Sequence, residues 1–393
     1  MAISVDINII SKTLGVAIFV AMDISVLQGL QIAFGFFALI QILYYLGIFS
    51  RLAFYKFKPV QQPLEPVSVI IVAKNEAENL RNHLPHFLNQ THPQYEIVVV
   101  NNCSWDASEE LLKEMSAQYP QLRVVTIEEQ ERYPKGKKFA LTLGIKAAKY
   151  DTLLMTDADC LPASNRWITQ MQQAYTPKTE LVLGYGAYQK TSGLINYLIR
   201  FETFYTALQY FSFALAGSPY MGVGRNLSYR KQTFFKVKGF ASHNHILSGD
   251  DDLFVNEVAT KTNTAISIQP EAFTSSIPKT TWGEWMKQKS RHLHTGKYYK
   301  LSHKFWLALL NISHILFFIL GITLLAQWQQ PEIAGIIFGV RWLFMFIIFY
   351  GAMTRLKENN LIWGFILLDI FYFVYYLLMG IRTLFSRQKK WMW

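Results

Sequence analysis

Apolar residues follow two different patterns along this chain. Near the ends they run on almost without charge. Residues 27–48, 305–328, 333–353 and 361–381 are each long enough for a helix that crosses a bilayer, which takes about 20 residues. In the middle, the apolar runs are short and β-branched. VSVIIV at 67–72 and EIVVV at 96–100 read as strands buried on both faces. Amphipathic stretches at 76–88 and 107–118 follow them as helices, and 123–127 and 152–155 read as further strands. Strand and helix in alternation predict a parallel sheet with right-handed crossovers. Such sheets bind ligands in the crevice beyond the carboxyl ends of their strands.

These patterns divide the chain. Residues 1–26 form an N-terminal segment whose apolar stretch, 14–22, is too short to span and reads as interfacial. Residues 27–50 read as a transmembrane helix, 59–302 as a soluble α/β domain, 303–386 as the C-terminal transmembrane helices and 387–393 as a basic, aromatic tail. The run at 194–216 is dense in aromatic residues yet carries Arg200 and Glu202. It reads either as a helix in the membrane interface or as a buried core helix.

Charge orients the spans. Arg51, Lys56 and Lys58 follow the first one directly, so the domain after it is expected on the cytoplasmic side. The link 329–332 has neither Lys nor Arg and reads as external; 354–360, with Arg355 and Lys357, reads as internal. A third full C-terminal crossing would put Arg387, Lys389 and Lys390 outside, against the same tendency, so two to three crossings are expected there. Arg341 and Asp369 fall near the middle of two apolar runs. A lone charge at that depth is expensive, and the two are expected to pair as a structural contact rather than as part of a substrate path.

Composition agrees with a membrane protein: only 17% of residues are charged, against about a quarter in soluble domains. A net charge of +11 is compatible with nucleic acid, anionic lipid or a phosphorylated substrate. The basic residues form no stripe and many flank apolar spans, which sets nucleic acid aside. Cys103 and Cys160 make no disulfide framework and suit a reducing compartment. In the central region sequons begin at Asn89, Asn102 and Asn226, and the strand-end position expected for Asn102 leaves no room for a glycan.

Candidate chemistry gathers at the strand ends. Ala73-Lys74-Asn75-Glu76 follows the first strand. Asn75 reads either as a helix cap or as a contact to a nucleotide at the mouth of the sheet. Asn102 ends the second strand, in a turn that either only turns the chain or lines a pocket for base and ribose beside the first. Lys135 and Lys137 open a helix, as a solvated basic turn or as a supplement to the helix N-terminus in holding a diphosphate. Asp157 and Asp159, two positions apart at the end of a buried strand, can both turn toward one hard divalent cation, Mn²⁺ or Mg²⁺. Asp250, Asp251 and Asp252 precede an apolar stretch at 253–258. They read either as a helix cap or as a crowded set in which one carboxyl gains a raised pKa and serves as a general base. Arg291, three residues after Gln288, reads as a phosphate clamp or as a side chain snorkelling at the lipid surface. His292 and His294 lack partners at zinc spacing.

Taken in order, from residue 66 to residue 292, these pieces resemble the family 2 glycosyltransferases of GT-A fold, in the membrane-bound branch of ceramide glucosyltransferases and polysaccharide synthases. The resemblance implies a Rossmann-like, nucleotide-sugar-binding α/β domain flanked by one N-terminal and two to three C-terminal transmembrane helices. It implies that Ala73, Asn75, Glu76 and Asn102 lie toward the nucleotide, and that Asp157 and Asp159 form the metal-binding D-x-D. Asp251, with Asp250 in place of the family's Glu, matches the catalytic Glu-Asp motif. Gln288 and Arg291 match Q-x-x-R-W, whose Trp is His292 here, and the segment around Asn226 resembles the acceptor side. An acidic pair usual after the second strand is Asn101-Asn102 in this chain. The implied reaction is an inverting, metal-dependent hexosyl transfer from a nucleotide-diphosphate sugar. Asp251 is the base, and Arg291 and Lys137 help to stabilise the leaving diphosphate. A lipid at the membrane surface is the expected acceptor. The rival readings are a processive polysaccharide synthase and a non-catalytic nucleotide-sugar-binding membrane protein.

Overall fold

The computed structural model of the protein describes residues 7–60, 62–128, 136–246, 248–327 and 331–385. Lys135, the tail at 387–393 and residues 329 and 330 of the link expected to be external lie outside them. The central domain is built on a seven-stranded sheet, in spatial order β3-β2-β1-β4-β8-β6-β9. Its strands are β1 (Val67–Ala73), β2 (Tyr95–Asn102), β3 (Leu122–Ile127), β4 (Thr152–Asp157), β6 (Leu181–Gly184), β8 (Leu227–Arg230) and β9 (Thr264–Ser267). A smaller sheet joins β5 (Cys160–Pro162), β10 (Thr274–Ser276) and β7 (Gly186–Tyr188). β1 and the inner part of β2 are buried because helices cover both faces, which their unbroken Val/Ile runs require.

The first four strands are parallel, as the strand-helix alternation predicts. The sheet as a whole is mixed, because β8 runs antiparallel to both β4 and β6. The reason lies in what precedes β8. After β7 the chain leaves the sheet as a helix of 22 residues, Leu194–Leu215, and re-enters beside the carboxyl end of β4, where Leu227 pairs with Met155. The residues just before β8 therefore lie over the carboxyl edge of the sheet.

We number the helices used below α1 (Ile7–Tyr44), α2 (Ala77–Leu88), α3 (Ser108–Gln118), α4 (Lys137–Ala147), α5 (Leu194–Leu215), α6 (Asp252–Val258), α7 (Trp282–Leu293), α8 (Leu301–Ala326), α9 (Pro331–Arg355) and α10 (Phe365–Phe385). α4 lies close against β1 and β2 at Gly144, where a Cβ would stand 2.8 Å from Val100 Cγ2 and 2.9 Å from Ile70 Cγ2. α5 is a buried core helix. Most of its residues, Arg200 and Glu202 included, are buried. One side packs on β7 and β9, and the other meets Phe349 of α9 and Tyr372 of α10, with Tyr205 and Tyr372 ring centroids 4.4 Å apart.

Four stretches are long and apolar enough to cross a membrane: Val26–Ala53, Leu301–Ala326, Pro331–Arg355 and Asn359–Gly380. Outward positions such as Ile32, Leu39, Ile336 and Leu367 are exposed and apolar, the surface a helix presents to lipid. The inner positions include one polar cluster. Arg341 of α9 meets Asp369 of α10 at 2.5 and 3.0 Å, the pairing the two mid-span charges predict. His314 of α8 and Trp342 of α9 each approach the same carboxylate at 3.0 Å. Gln41 of α1 reaches Ser313 at 2.5 Å and Arg341 at 3.4 Å. All four spans thus contribute to a single network, α8 and α9 with two groups each.

The turn between α9 and α10 is fixed to the α/β domain. Arg200 of α5 forms a buried ion pair with Glu358 and donates to Asn360 at 2.6 Å, while Tyr197 donates to the Leu361 carbonyl at 3.1 Å. This turn lies on the same side of the spans as the α/β domain.

Candidate active site

β1 and β4 are neighbours, yet the crossover after β1 goes to β2 on its other side. Their carboxyl ends therefore flank a topological switch point, where an open α/β sheet leaves a crevice. Asn75, in the turn after β1, has a φ of 58°. Its backbone N–H donates to Ser104 Oγ at 3.0 Å, and its Oδ1 accepts from the Trp105 N–H at 2.9 Å. The start of α2 is satisfied from the second turn instead: the Glu76 N–H donates to Ser108 Oγ and the Ala77 N–H to the Asp106 carboxylate at 3.0 Å. Asn75 stitches the first two turns together rather than capping α2. Asn102 is buried at the end of β2.

The charged groups converge next to this stitch. Lys137, first in α4, lies 2.7 Å from Asp157 Oδ1 and 3.2 Å from Asp250 Oδ2. Burial would drive its proton off, but Asp157, Asp250 and Asp251 together hold its pKa well above the usual lysine value. Lys138 points the other way, donating to the His243 and Ile246 carbonyls at 2.7 and 2.9 Å, and so anchors the loop that leads into the aspartate triplet.

Each member of that triplet has a different environment. For Asp250, burial acts to raise the pKa, but Lys137 overrides it and leaves the carboxyl below its usual value. Asp252 is buried and raised by that burial; its carboxylate accepts from Thr295 and, at 2.7 Å, from Tyr299. Asp251 caps α6, accepting from the Asp252 N–H at 2.8 Å, and also accepts from the Gly224 N–H at 2.7 Å. Desolvation first, and then the charges of Asp250 and Asp252, raise its pKa to about 7. Both readings of the triplet thus meet in one residue: Asp251 is a helix cap and a carboxyl poised near neutrality.

Asp157, Asp159 and Cys160 present ligand atoms that all lie within 4.8 Å of one another. Burial, then the charge of Asp157, raises the pKa of Asp159. Burial pushes the Cys160 thiol up to about 12, and its Sγ lies 3.1 Å from Ser276 Oγ, so it remains a neutral thiol. The two crowded carboxylates are oxygen donors whose repulsion a cation relieves, so the residues present fit a hard divalent ion.

The other expected site residues are distributed unevenly. Glu76, Gln288 and Arg291 line the same cavity as the carboxylates. Burial raises the pKa of Glu76, and Gln288 Nε2 donates to the Tyr188 hydroxyl at 3.2 Å. Ala73, Asn75 and Asn102 are absent from its lining. So is Asn226, which is fully buried: its amide donates to the Tyr185 and Ala272 carbonyls at 3.0 and 2.7 Å and accepts from Trp167 Nε1 at 3.2 Å. The neighbour of Asn226, Arg225, faces the cavity instead, with its guanidinium 4.3 Å from the Tyr188 ring centre. Asp159 and Asp157 are among the charges that keep Arg225 protonated against its burial. Its signal in the sequence was adjacency to Asn226, and the turn just before β8 decides which of the two faces the cavity. The side chain of His292 lies outside the described residues.

The cavity measures about 980 Å³, the upper end for a small-molecule site. It does not stop at the carboxylates. Its far part is lined from α5, α8 and α10, and so continues from the strand ends into the space between the apolar helices.

A family model described as glycosyl transferase family 21 matches residues 33–392. "Glycosyltransferase AglE" of Haloferax volcanii is 36% identical over 104 residues, 26% of this chain and 33% of that protein. "Probable glycosyltransferase YdaM" of Bacillus subtilis is 26% identical over 254 residues, 62% of this chain and 58% of that protein. "Poly-beta-1,6-N-acetyl-D-glucosamine synthase" of Staphylococcus epidermidis is 31% identical over 111 residues, 28% of this chain and 25% of that protein. The chain thus spans between a quarter and three fifths of these relatives' lengths. Among solved structures, "Mannosyltransferase PcManGT from Pyrobaculum calidifontis in complex with GDP-Man and Mn2+" superposes with a TM-score of 0.60. It is 18% identical, and the match covers 92% of this chain and 100% of that one. The fold is that of the GT-A glycosyltransferases.

Proposed function

Since this chain belongs to glycosyl transferase family 21, we propose that it moves a hexose from a nucleotide-diphosphate donor to the hydroxyl of a lipid, with inversion, at the cytoplasmic face of its membrane. One observation carries the reading: a single cavity holds Asp157, Asp159, Lys137 and Asp251 at one end and helix faces of α8 and α10 at the other. A donor bound at the strand ends and an acceptor entering between the spans meet there. The solved mannosyltransferase of the same fold holds GDP-Man and Mn²⁺, which supports the donor class and the metal.

Asp251 is the base. Its raised pKa leaves a useful fraction ionised near neutral pH while keeping it basic enough to take a hydroxyl proton. Asp250, depressed by Lys137, stays ionised; two adjacent carboxyls whose environments push their pKa values apart have different tasks. The Gly224 N–H fixes the orientation of Asp251. The acceptor oxygen gives its proton to Asp251 and bonds to the anomeric carbon. The bond from that carbon to the diphosphate breaks, and the electron pair leaves with the nucleotide. Asp157 and Asp159 would hold a divalent cation, Mn²⁺ or Mg²⁺, which when bound would supply positive charge for the diphosphate. Lys137 and Arg291 add their own charge at the same end.

The cytoplasmic placement rests on the basic residues of the domain's side, Arg51, Lys56, Lys58, Arg355 and Lys357. Asp251→Asn in detergent-solubilised protein tests the reading. Lost sugar transfer with retained donor binding is expected; unchanged transfer removes the base. Release of long polymer in place of a singly extended lipid would replace the lipid reading with a processive synthase.

A further inference from the structure

The far part of the cavity is built unlike an alkyl-chain tunnel. Thr203 and Thr206 of α5 line it, as do Asn311 of α8 and Tyr372, Tyr375 and Tyr376 of α10. The spacings are helical: three residues on α5, and three and four on α10. Each helix therefore turns one polar or aromatic face toward the same space. Thr203 is only 7% exposed, and its Oγ1 has no hydrogen-bond partner; neither does the inaccessible Oδ1 of Asn311. A buried polar atom left without a partner costs about 1–3 kcal/mol. Two of them on facing helices of one cavity point to a ligand that brings hydroxyls.

Charge narrows the class. Lys289 enters this region paired with Glu202, as a neutral unit. Lys304, near the start of α8, also lines the cavity, with its ammonium donating to the Lys297 carbonyl at 3.3 Å, while Thr203, Thr206, Asn311 and the three tyrosines contribute no formal charge at neutral pH. The chamber offers hydrogen bonds and ring faces rather than the cationic clamp a phosphate needs. A sugar ring fits both offers: its hydroxyls find partners, and its C–H face lies on the electron-rich face of an aromatic ring. The ring positions are held in place. Tyr376 donates to Tyr372 at 2.9 Å, Tyr205 packs against Tyr372, and Trp285 of α7 lies 5.6 Å from Tyr375.

We propose that this chamber is an acceptor subsite for a lipid whose headgroup already carries a sugar, read by Thr203, Asn311 and the tyrosine face of α10. The inference rests on the lipid-acceptor reading above and names the headgroup. An enzyme with this subsite extends a glycolipid, so a preceding glycosyl transfer must supply its substrate.

The test is equilibrium binding, which does not depend on turnover. Full-length protein in lipid nanodiscs is given a monoglucosyl diacylglycerol, the parent diacylglycerol and a phosphatidic acid of the same acyl chains, and bound lipid is read by native mass spectrometry. Preference for the glucosyl lipid over the parent is expected, by about tenfold for two added hydrogen bonds. Thr203→Val and Tyr376→Phe, each checked for an unchanged melting temperature, should each reduce that preference severalfold. Equal binding of the parent, strongest binding of phosphatidic acid, or variants that keep the full preference would overturn the proposal. Asp251→Asn separates the two readings. It should retain the lipid preference while transfer is lost, so retained transfer would remove the base assignment and leave the subsite standing.

Discussion

Two clusters of buried charge differ in how their charges are balanced. Among the spans, Asp369 is met by Arg341, His314 and Trp342, and Gln41 completes the ring. Positive and negative charge balance, and the contacts tie the helices together. At the strand ends, Asp157, Asp159, Asp250, Asp251 and Glu76 line one cavity with Lys137, Arg225 and Arg291. Carboxylates crowd one another there, and the pKa values of Asp159 and Asp251 rise for that reason after burial. A balanced cluster holds a fold together; a crowded one is where the proposed function puts a cation and a proton. Both were visible as charges in apolar surroundings, and only the balance of charge around each carboxylate separates their roles.

The sharpest way to break this contrast is to remove one carboxylate from each cluster. Asp251→Asn should lower transfer about 10²- to 10⁴-fold, the range of general-base catalysis, with donor affinity kept in a binding assay. Asp369→Asn should act on stability instead. It strands Arg341 without its ion pair, at a cost of about 3–5 kcal/mol, read as a lower melting temperature in detergent while the folded fraction turns over normally. The double change Arg341→Met, Asp369→Leu should recover much of that loss, since no unpaired charge remains.

Asn226→Ala sharpens the comparison from a third side. Its amide is saturated by Tyr185, Ala272 and Trp167, so truncation should cost about 1–3 kcal/mol of stability. The acceptor KM should not move; a change would return Asn226 to the acceptor side. The pH profile gives a smaller effect. In the proposed reaction Asp251 acts ionised, and its folded pKa of about 7 lies above the ordinary carboxyl value. The kcat/KM should therefore fall about tenfold per pH unit below 7 and level off above it. Linkage has the opposite sign for stability. The folded chain binds this proton more tightly than the unfolded one, so ionising Asp251 costs stability as pH rises from its unfolded value toward 7. Asp251→Asn should consequently raise the melting temperature of the ligand-free protein slightly at pH 8.

The sequence by itself determined the α/β core and the apolar spans. Period and run length are local properties: a β-branched run such as 67–72 can only be buried on both faces, and 22 residues without charge can only face lipid or protein. It also marked Asp157, Asp159, Asp251, Gln288 and Arg291, because charged or amide side chains at strand ends or helix starts are few and are spaced recognisably. Tertiary structure alone decided which neighbours meet. Asn75 and Asn226 became stitches between segments, and Arg225 turned into the cavity, because the turn before β8 and the left-handed turn after β1 set their directions. The antiparallel course of β8 followed from the departure of α5, whose burial between the sheet and the spans no composition reveals. Above all, the tyrosines of α10 read as one more apolar helix until Thr203 and Asn311, each more than 60 residues away along the chain, faced them across the same space. Which face of a helix is polar can be counted along the chain, but what stands opposite it is a long-range fact that packing alone supplies.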